Sequence, residues 1–477
     1  MERRTRIVAT LGPATDRPGV FETILEAGLD VVRINFSHGD AEEHKQRAQR
    51  VREMAAKRQR PLAILGDLPG PKLRALLTEP MDLAQGQPLT LSRTNVNSGA
   101  FSLTEPELLD NVSTGHRVLL DDGRMMLRVK DAKSDSVEVE VEVGGTLLPN
   151  KGVNLPDTEL SVPAVTERDK EALAIAAEIG VDWLALSFVR TANAADQLRE
   201  HLRQLGMNVP IIAKMERPEA VENHVEIIRA FDGIMVARGD LGVEIPLERV
   251  PNVQKTLIGA ARSAGKPVIT ATDMLDSMRN NPRPTRAEAS DVANAVYDGS
   301  DGIMLSGETA IGKYPVEAVR CMDRIARETE THIGEEHWRE VFVPRGEIRD
   351  QFTHSTCELA FEINADAIIT PTYSGRTARM IARHRPAMKI IAPTPSEAVY
   401  RQLAMSWGVT PVLFLTKLNP GDGRIEASVQ AAVQAGAVSA GQRAIILAGH
   451  PFEGGEELLT IRAVTVGSDG RSHSPEE

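Results

Sequence analysis

Cysteine is nearly absent: Cys321 and Cys357 are the two in 477 residues. So few support neither a disulfide framework nor a cysteine metal site, and both read as plain free thiols. Long apolar runs are missing too, since no stretch approaches the ~20 residues that would span a bilayer. The apolar stretch Ile7-Val8-Ala9 that follows Met1-Glu2-Arg3-Arg4 is too short for the core of a signal peptide, so export is not expected. Nor is there an excess of positive charge. Lys and Arg number 55 against 67 Asp and Glu, a formal net charge of −12. That balance argues against nucleic acid or anionic lipid as the main partner. It leaves room for a small cationic pocket that takes phosphates. A soluble cytoplasmic enzyme or binding protein is the expectation.

What is present is ordinary globular composition, 42% hydrophobic and 26% charged, in a chain long enough for two to four domains. Short apolar segments recur, each ending in polar or glycine-rich sequence. They are TRIVAT (from Thr5), DVVRIN (from Asp30), PLAILGD (from Pro61), DWLALSF (from Asp182), PIIAK (from Pro210), DGIMVA (from Asp232), PVITAT (from Pro267) and DGIMLS (from Asp301). Helical stretches separate most of them. One starts at Thr166, carries Asp169 as the partner of a capping box and stops at Gly180. Another, from His38 to Arg58, is highly charged and reads as solvated over most of its surface. Eight strands alternating with helices predict a (β/α)8 TIM barrel, with an open doubly wound sheet as the alternative.

One interval breaks the rhythm. Between the third and fourth segments, SVEVEVEVG (from Ser136) alternates strictly, and QPLTLSR and HRVLLDDG read as strands joined by turns. A β-rich, barrel-like lid over residues 75–162 is therefore expected, inserted into a barrel formed by 1–74 and 163–340. From 341 to 467, ADAIITPT, MKIIAPTP, TPVLFL and RAIILAG predict an open α/β domain. The end, 468–477, reads as a disordered tail.

In a barrel of this type the chemistry gathers where the strands end. Those ends carry Arg33-Ile34-Asn35-Phe36-Ser37-His38, Asp67 with Leu68-Pro69-Gly70-Pro71-Lys72-Leu73-Arg74, Lys214-Met215-Glu216, Arg238-Gly239-Asp240, Thr270 with Thr272, and Ser306-Gly307-Glu308. Burying so many polar groups is costly unless they pair or bind something. Glu216 and Asp240 come from neighbouring strands, and two hard carboxylates with positions left for water and substrate suit magnesium. A salt-bridged surface pair is the plainer alternative. Lys214 and Arg33 would face the same space, where two cations beside a metal can neutralise a transferring phosphoryl group. The amides of Gly239-Asp240-Leu241-Gly242 could hold a carboxylate or phosphate if a short helix opens there. His38 reads as a structural or rim residue.

At this point the motifs resemble a known family. RINFSHG (Arg33 to Gly39), IIAKMERPEAV (Ile211 to Val221), MVARGDLGVE (Met235 to Glu244), KPVITATDMLDSM (Lys266 to Met278), PRPTRAEASDVANAV (Pro282 to Val296) and IMLSGETAIGKYP (Ile303 to Pro315) resemble pyruvate kinases. KGVNLP (Lys151 to Pro156) is similar to the end of that family's lid. The resemblance implies phosphoryl transfer from phosphoenolpyruvate to ADP, giving pyruvate and ATP. It implies that Glu216 and Asp240 hold Mg2+ or Mn2+, with a second metal arriving on ADP. Lys214 would stabilise the phosphoryl group in flight and Arg33 its phosphate. Gly239, Asp240 and Thr272 would bind the substrate carboxylate, with Thr272 near the source of the proton that completes pyruvate. Arg74 and Lys151 would contact the nucleotide phosphates. A homotetramer follows from the resemblance alone.

Two departures are informative. Members that need potassium hold it with positions matching Asn35, Ser37, Asp67 and the Leu68 carbonyl, and usually carry Glu where this chain has Lys72. Lys72 can supply a tethered ammonium instead, so no potassium requirement is expected; a lysine pointing to solvent is the alternative. In the last domain, Thr372-Tyr373-Ser374-Gly375-Arg376-Thr377 follows a strand and enters a helix, which suits either a phosphorylated effector or a plain capping turn. The later loop, Gly449 to Gly455, lacks the basic and tryptophan residues of fructose-bisphosphate-regulated members. A sugar monophosphate, AMP or no effector is expected. The competing functions are a silent metabolite sensor and another phosphoenolpyruvate or pyruvate barrel enzyme, such as a metal-dependent aldolase.

Overall fold

Four aspartates set the pitch of the main sheet. Asp30, Asp182, Asp232 and Asp301 each stand just before an even-numbered strand. Their carboxylates accept from the amides of Ile7, Ile64, Ile211 and Val268, which lie at or next to the start of the preceding odd-numbered strand. The strands of the computed structural model are β1 (Arg6–Thr10), β2 (Val31–Asn35), β3 (Ala63–Asp67), β4 (Trp183–Leu186), β5 (Ile211–Met215), β6 (Gly233–Ala237), β7 (Val268–Ala271) and β8 (Gly302–Leu305). All neighbours pair in parallel and β8 returns to β1, closing an eight-stranded barrel. The strand amides next to the barrel floor have no strand partner below, so the aspartates satisfy them. Each of these carboxylates is in turn paired with arginine, among them Arg3, Arg52, Arg199 and Arg385.

The structure describes residues 2–92, 100–133, 136–159, 162–334, 347–414, 422–451 and 457–474. Val, Ile, Leu and Ala fill the strands because they face helices outside and other strands' side chains inside. Inside the barrel, Val8, Val31, Leu65, Trp183, Ile212, Met235, Ile269 and Met304 pack together with Ala404 and Met405 of the C-terminal region. Those last two stop the barrel's floor, and the Trp183 indole donates to the Gln402 carbonyl at 3.1 Å. Polar chemistry is thereby confined to the other end.

The helix Glu167–Ile179 forms as its caps predict. Thr166 and Asp169 make a reciprocal capping box, and Gly180 closes it in a left-handed conformation. The charged helix Ala41–Arg58 is capped by Asp40 and buries His44, Arg47, Ala48 and Val51. Between β3 and β4 lies a seven-stranded sheet of barrel-like curvature, in the spatial order Val153–Asn154, Arg117–Leu120, Met125–Ala132, Ser136–Val143, Pro88–Ser92, Ala100–Leu103, Ala75–Leu76. Val137, Val139 and Val141 of its alternating strand are buried, as a period of two requires.

The C-terminal sheet runs Val409–Leu413, Lys389–Thr394, Ala367–Ile369, Arg443–Pro451 in parallel. Glu457–Val466 then adds to Arg443–Pro451 in antiparallel fashion. The end of the chain corrects its sequence reading. Ser472–His473 pairs with Thr465–Val466, because a turn at Gly467–Gly470 reverses the chain and the Glu426 carboxylate accepts from the Ser472 amide and hydroxyl. A polar composition hid this order, which rests on hydrogen bonds rather than apolar burial. Both cysteines are free and buried. Among the described residues no helix is long and apolar enough to cross a membrane.

Candidate active site

The strand ends opposite the plugged floor converge on Lys214. Its ammonium lies 2.9 Å from Glu216, 3.4 Å from Asp67 and 2.8 Å from the Ser187 hydroxyl, to which it donates. Asp67 is 1% exposed and is shared with Arg33, which donates to it through Nε at 2.7 Å and to the Thr10 hydroxyl at 2.9 Å. A wholly buried carboxylate is stable as an anion only when so paired. Burial works to raise its pKa, but Lys214 and Arg33 outweigh it and hold the carboxyl below the usual range. Burial likewise works against the Lys214 charge, yet Asp67 and Glu216 keep it firmly protonated.

Glu216 behaves differently. Burial pushes its carboxyl up to about 7, with Lys214 opposing and Asp240 adding to the rise. Its Oε2 accepts from the Phe188 amide at 2.7 Å, while Oε1 makes an ion pair but no hydrogen bond. A buried carboxylate oxygen left without a hydrogen bond, near a second carboxylate on the next strand's end, fits a hard divalent cation. Among the described residues no cluster of three or more metal-ligating side chains occurs, so water and substrate would have to complete the shell.

Asp240 sits in the short helix Arg238–Glu244 directly after β6. The Gly239 amide there is already held by the Thr272 hydroxyl at 2.6 Å. Thr272 and Asp273 both have positive φ, +68° and +54°. For a β-branched residue that conformation costs about 1–3 kcal/mol and marks a position the surroundings impose. Thr270 and Glu308, also offered by the strand ends, serve the scaffold: Thr270 bonds Ser300, and Glu308 accepts from the amides of Leu275 and Ser306.

The remaining sequence-derived positions fall into two groups. Arg74 and Lys151 come together at the lid's base, where Arg74 bridges Gly152 and donates to the Asn150 carbonyl at 2.9 Å, while Lys151 pairs with Asp121 at 2.7 Å. His38 is exposed on the Arg74 side, its imidazole held below the ordinary range by partial desolvation and then by Arg74 and Arg33. Of the oxygens matched to a monovalent cation, Asp67 Oδ1 is buried without a hydrogen bond, 3.4 Å from the Lys214 ammonium, and three others accept from protein groups. Asn35 accepts from the Ser37 amide, Leu68 from the Ser187 hydroxyl, and Asp67 Oδ2 from Arg33. Lys72 ion-pairs with Asp240 at 3.9 Å.

Ser374–Thr377 are far along the chain, in the C-terminal domain. Gly375 takes a left-handed N-cap conformation before the helix Arg376–Ala382, with its amide bonded to the Thr372 hydroxyl. Residues 452–455 of the loop Gly449 to Gly455 lie outside the described residues.

Sequence reasoning passed over Ser187 and Thr10. Ser187 links Lys214 to the Leu68 carbonyl, and the Phe188 amide orients Glu216. The signal was available, because Ser187-Phe188 directly follows β4, just as Glu216 follows β5.

Comparison with known proteins shows which family shares this fold. The family model described as pyruvate kinase, barrel domain, matches residues 2–319, and that described as pyruvate kinase, alpha/beta domain, matches 350–462. A pyruvate kinase of Geobacillus stearothermophilus is 44% identical, aligned over 98% of this chain and 81% of that protein. Pyruvate kinase 2 of Synechocystis is 45% identical over 87% of this chain and 71% of its own length. The crystal structure of a pyruvate kinase from Cryptosporidium parvum superposes with a TM-score of 0.90 at 34% identity, covering 97% of this chain and 96% of the other. With both family models matched in order across a closed barrel whose rim gathers Arg33, Lys214, Glu216 and Asp240, the chain belongs to the pyruvate kinase family.

Proposed function

We propose that this chain carries out the family's reaction with the rim residues described above. The protein is a phosphotransferase that moves the phosphoryl group of phosphoenolpyruvate to ADP. The observation that carries the assignment of roles is the buried Lys214 ammonium, held between Asp67, Ser187 and Glu216 with Arg33 on the far side of Asp67.

Glu216 and Asp240 would hold the divalent metal, Mg2+ or Mn2+. When bound, that ion supplies Lewis-acid charge for the phosphate and enolate oxygens. Arg33 binds and orients the substrate phosphate. Lys214, fixed on three sides, presents its charge where the equatorial oxygens of the transferring group gain negative charge. The P–O bond to the enol oxygen breaks as the ADP β-phosphate oxygen forms its bond to phosphorus. The enolate left behind takes a proton at its methylene carbon, giving pyruvate. The Thr272 hydroxyl, strained into place beside Gly239, stands where a proton donor or a donor-positioning water is needed. The amides of Gly239 and Asp240 and the Thr272 hydroxyl would receive the substrate carboxylate, which requires the existing Gly239–Thr272 bond to open. Arg74 and Lys151, brought together at the lid's base, would meet the nucleotide phosphates.

Lys72 places its ammonium beside Asp240, and we assign it the charge that potassium supplies elsewhere in the family. The division into a barrel (1–74 and 163–340), a lid (75–162) and a C-terminal domain (341–467) belongs to the same reading. So do a cytoplasmic homotetramer and a phosphorylated effector at Ser374, Gly375, Arg376 and Thr377. The test is pyruvate formation from phosphoenolpyruvate and magnesium, with ADP present or omitted, in sodium and in potassium buffers. ADP-dependent turnover equal in both buffers is expected. Substrate binding without turnover would move the reading to a sensor, and turnover without ADP to another barrel enzyme.

A further inference from the structure

Phe188 holds a backbone conformation that its side chain resists. Its φ is +54°, and among the described residues it is the sole aromatic with positive φ. Glycine reaches that region freely, whereas a bulky residue there is an outlier that its surroundings must impose. Such strain costs free energy and collects at functional sites.

Two sets of neighbours impose it. On the backbone side, the Phe188 amide donates to Glu216 Oε2 at 2.7 Å. The preceding Ser187 accepts from the Lys214 ammonium and donates to the Leu68 carbonyl. One two-residue turn thus sets both a carboxylate and a cation of the site. On the side-chain side, the ring lies against the segment that leads into the lid. A Cβ on Gly70 would stand 2.9 Å from Phe188 Cδ2 and 2.7 Å from Ser187 Cβ, so only glycine lets the two segments approach so closely. Gly70 is itself left-handed, at φ +66°, and its amide is fixed by Asp169, the capping-box partner of the helix Glu167–Ile179. The ring also lines a crevice with Pro71, Lys72 and Leu73 on the outgoing strand of this hinge and with Val153 and Asn154 on the returning one.

We propose that Phe188 is a positioning residue for the metal site: its ring, seated on the lid's hinge, holds the turn in the left-handed conformation that aims its amide at Glu216. The inference rests on the reading of Glu216 as a metal ligand. The amide fixes Oε2 and leaves Oε1 buried without a hydrogen bond, facing the place assigned to the ion. A partner that orients a ligand in this way contributes about 10–100-fold to metal affinity. Because the same ring lies against the hinge, the lid's position and the metal ligand's orientation depend on one residue.

The test is Mn2+ binding to the full-length enzyme without nucleotide, measured by electron paramagnetic resonance, together with the KM for ADP. Phe188 is part-exposed, so neither Phe188→Ala nor Phe188→Gly empties a core site, and both should fold. Phe188→Ala keeps the left-handed strain but loses the ring that offsets it. It should weaken Mn2+ by about tenfold or more, within the range for an orienting partner. Phe188→Gly takes the same backbone without strain and should bind Mn2+ more tightly than Phe188→Ala. A role in packing alone would give the opposite order, because glycine is the more flexible of the two. KM for ADP should rise in both, since both leave the hinge without the ring. Glu216→Gln is the control: if it keeps native Mn2+ affinity, the reading of Glu216 as a ligand falls. If it loses Mn2+ while Phe188→Ala binds as the native enzyme does, the role given to Phe188 is overturned. Weaker binding in Phe188→Gly than in Phe188→Ala, or an unchanged KM for ADP in both, would overturn it as well.

Discussion

The Lys72 ammonium stands 3.9 Å from the Asp240 carboxylate, joining the segment after β3 to the short helix after β6. That ion pair spans the place where a divalent metal and a substrate phosphate would meet. Lys72→Glu should put a carboxylate where an ammonium was. Turnover in sodium buffer should then fall by at least about tenfold, as for removal of a preorganised charge, and potassium should restore much of it. Equal rates for the variant in sodium and potassium would show that Lys72 carries no such role.

Lys214 is the residue on which the reading of the site rests most heavily. Lys214→Met should lower kcat by about 10³–10⁵, the range for a cation that acts on a transferring phosphoryl group. KM for phosphoenolpyruvate should change far less, because Arg33 keeps its bonds to Asp67 and Thr10. Lys214→Arg should not rescue, since a planar guanidinium cannot fit between Asp67, Ser187 and Glu216 as a compact ammonium does. Steady-state kinetics of the two variants would decide it.

Metal binding gives a third prediction. Chelation with EDTA should abolish turnover, and Mg2+ or Mn2+ should restore it. Glu216→Gln should weaken Mn2+, measured by electron paramagnetic resonance, by at least about 100-fold, the upper end of what even outer-shell partners contribute. Unchanged Mn2+ affinity would remove Glu216 from the ligand set.

How far the sequence carried these conclusions can be seen residue by residue. The eight strands were legible because each is a short apolar run, and four begin after an aspartate whose purpose the structure explains. Arg33, Asp67, Lys214, Glu216 and Asp240 were legible because a parallel barrel places strand ends together whatever their separation in the chain. Ser187 was missed since a lone hydroxyl has no charge to draw notice, and its role comes from two partners remote in sequence. The strand Ser472–His473 was missed since two polar residues carry no periodicity. The place of Phe188 was invisible for a further reason. A phenylalanine gives no sign in sequence of a positive φ, and Gly70 lies more than a hundred residues before the ring that it lets approach.

The last prediction concerns the joint between lid and barrel. Arg217, which follows Glu216, donates to Glu244 at 2.7 Å, and both side chains are almost wholly buried. Asn154 of the lid donates to the other Glu244 oxygen at 2.7 Å. Burial pushes the Glu244 carboxyl up, with Arg217 opposing. Removing Arg217 strands the buried Glu244 carboxylate and should cost about 3–5 kcal/mol, whereas removing Glu244 leaves Arg217 its ion pair with Glu219 at 3.0 Å and should cost less; replacing both with apolar residues can be nearly neutral. Arg217→Met and Glu244→Leu should therefore each lower the urea midpoint, and the double variant should recover most of the loss. KM for ADP should rise in Glu244→Leu and stay raised in the double variant, because Asn154 then has no carboxylate to anchor the lid. Recovery of both properties together would mean that the pair serves packing alone and leaves the lid's position to other contacts.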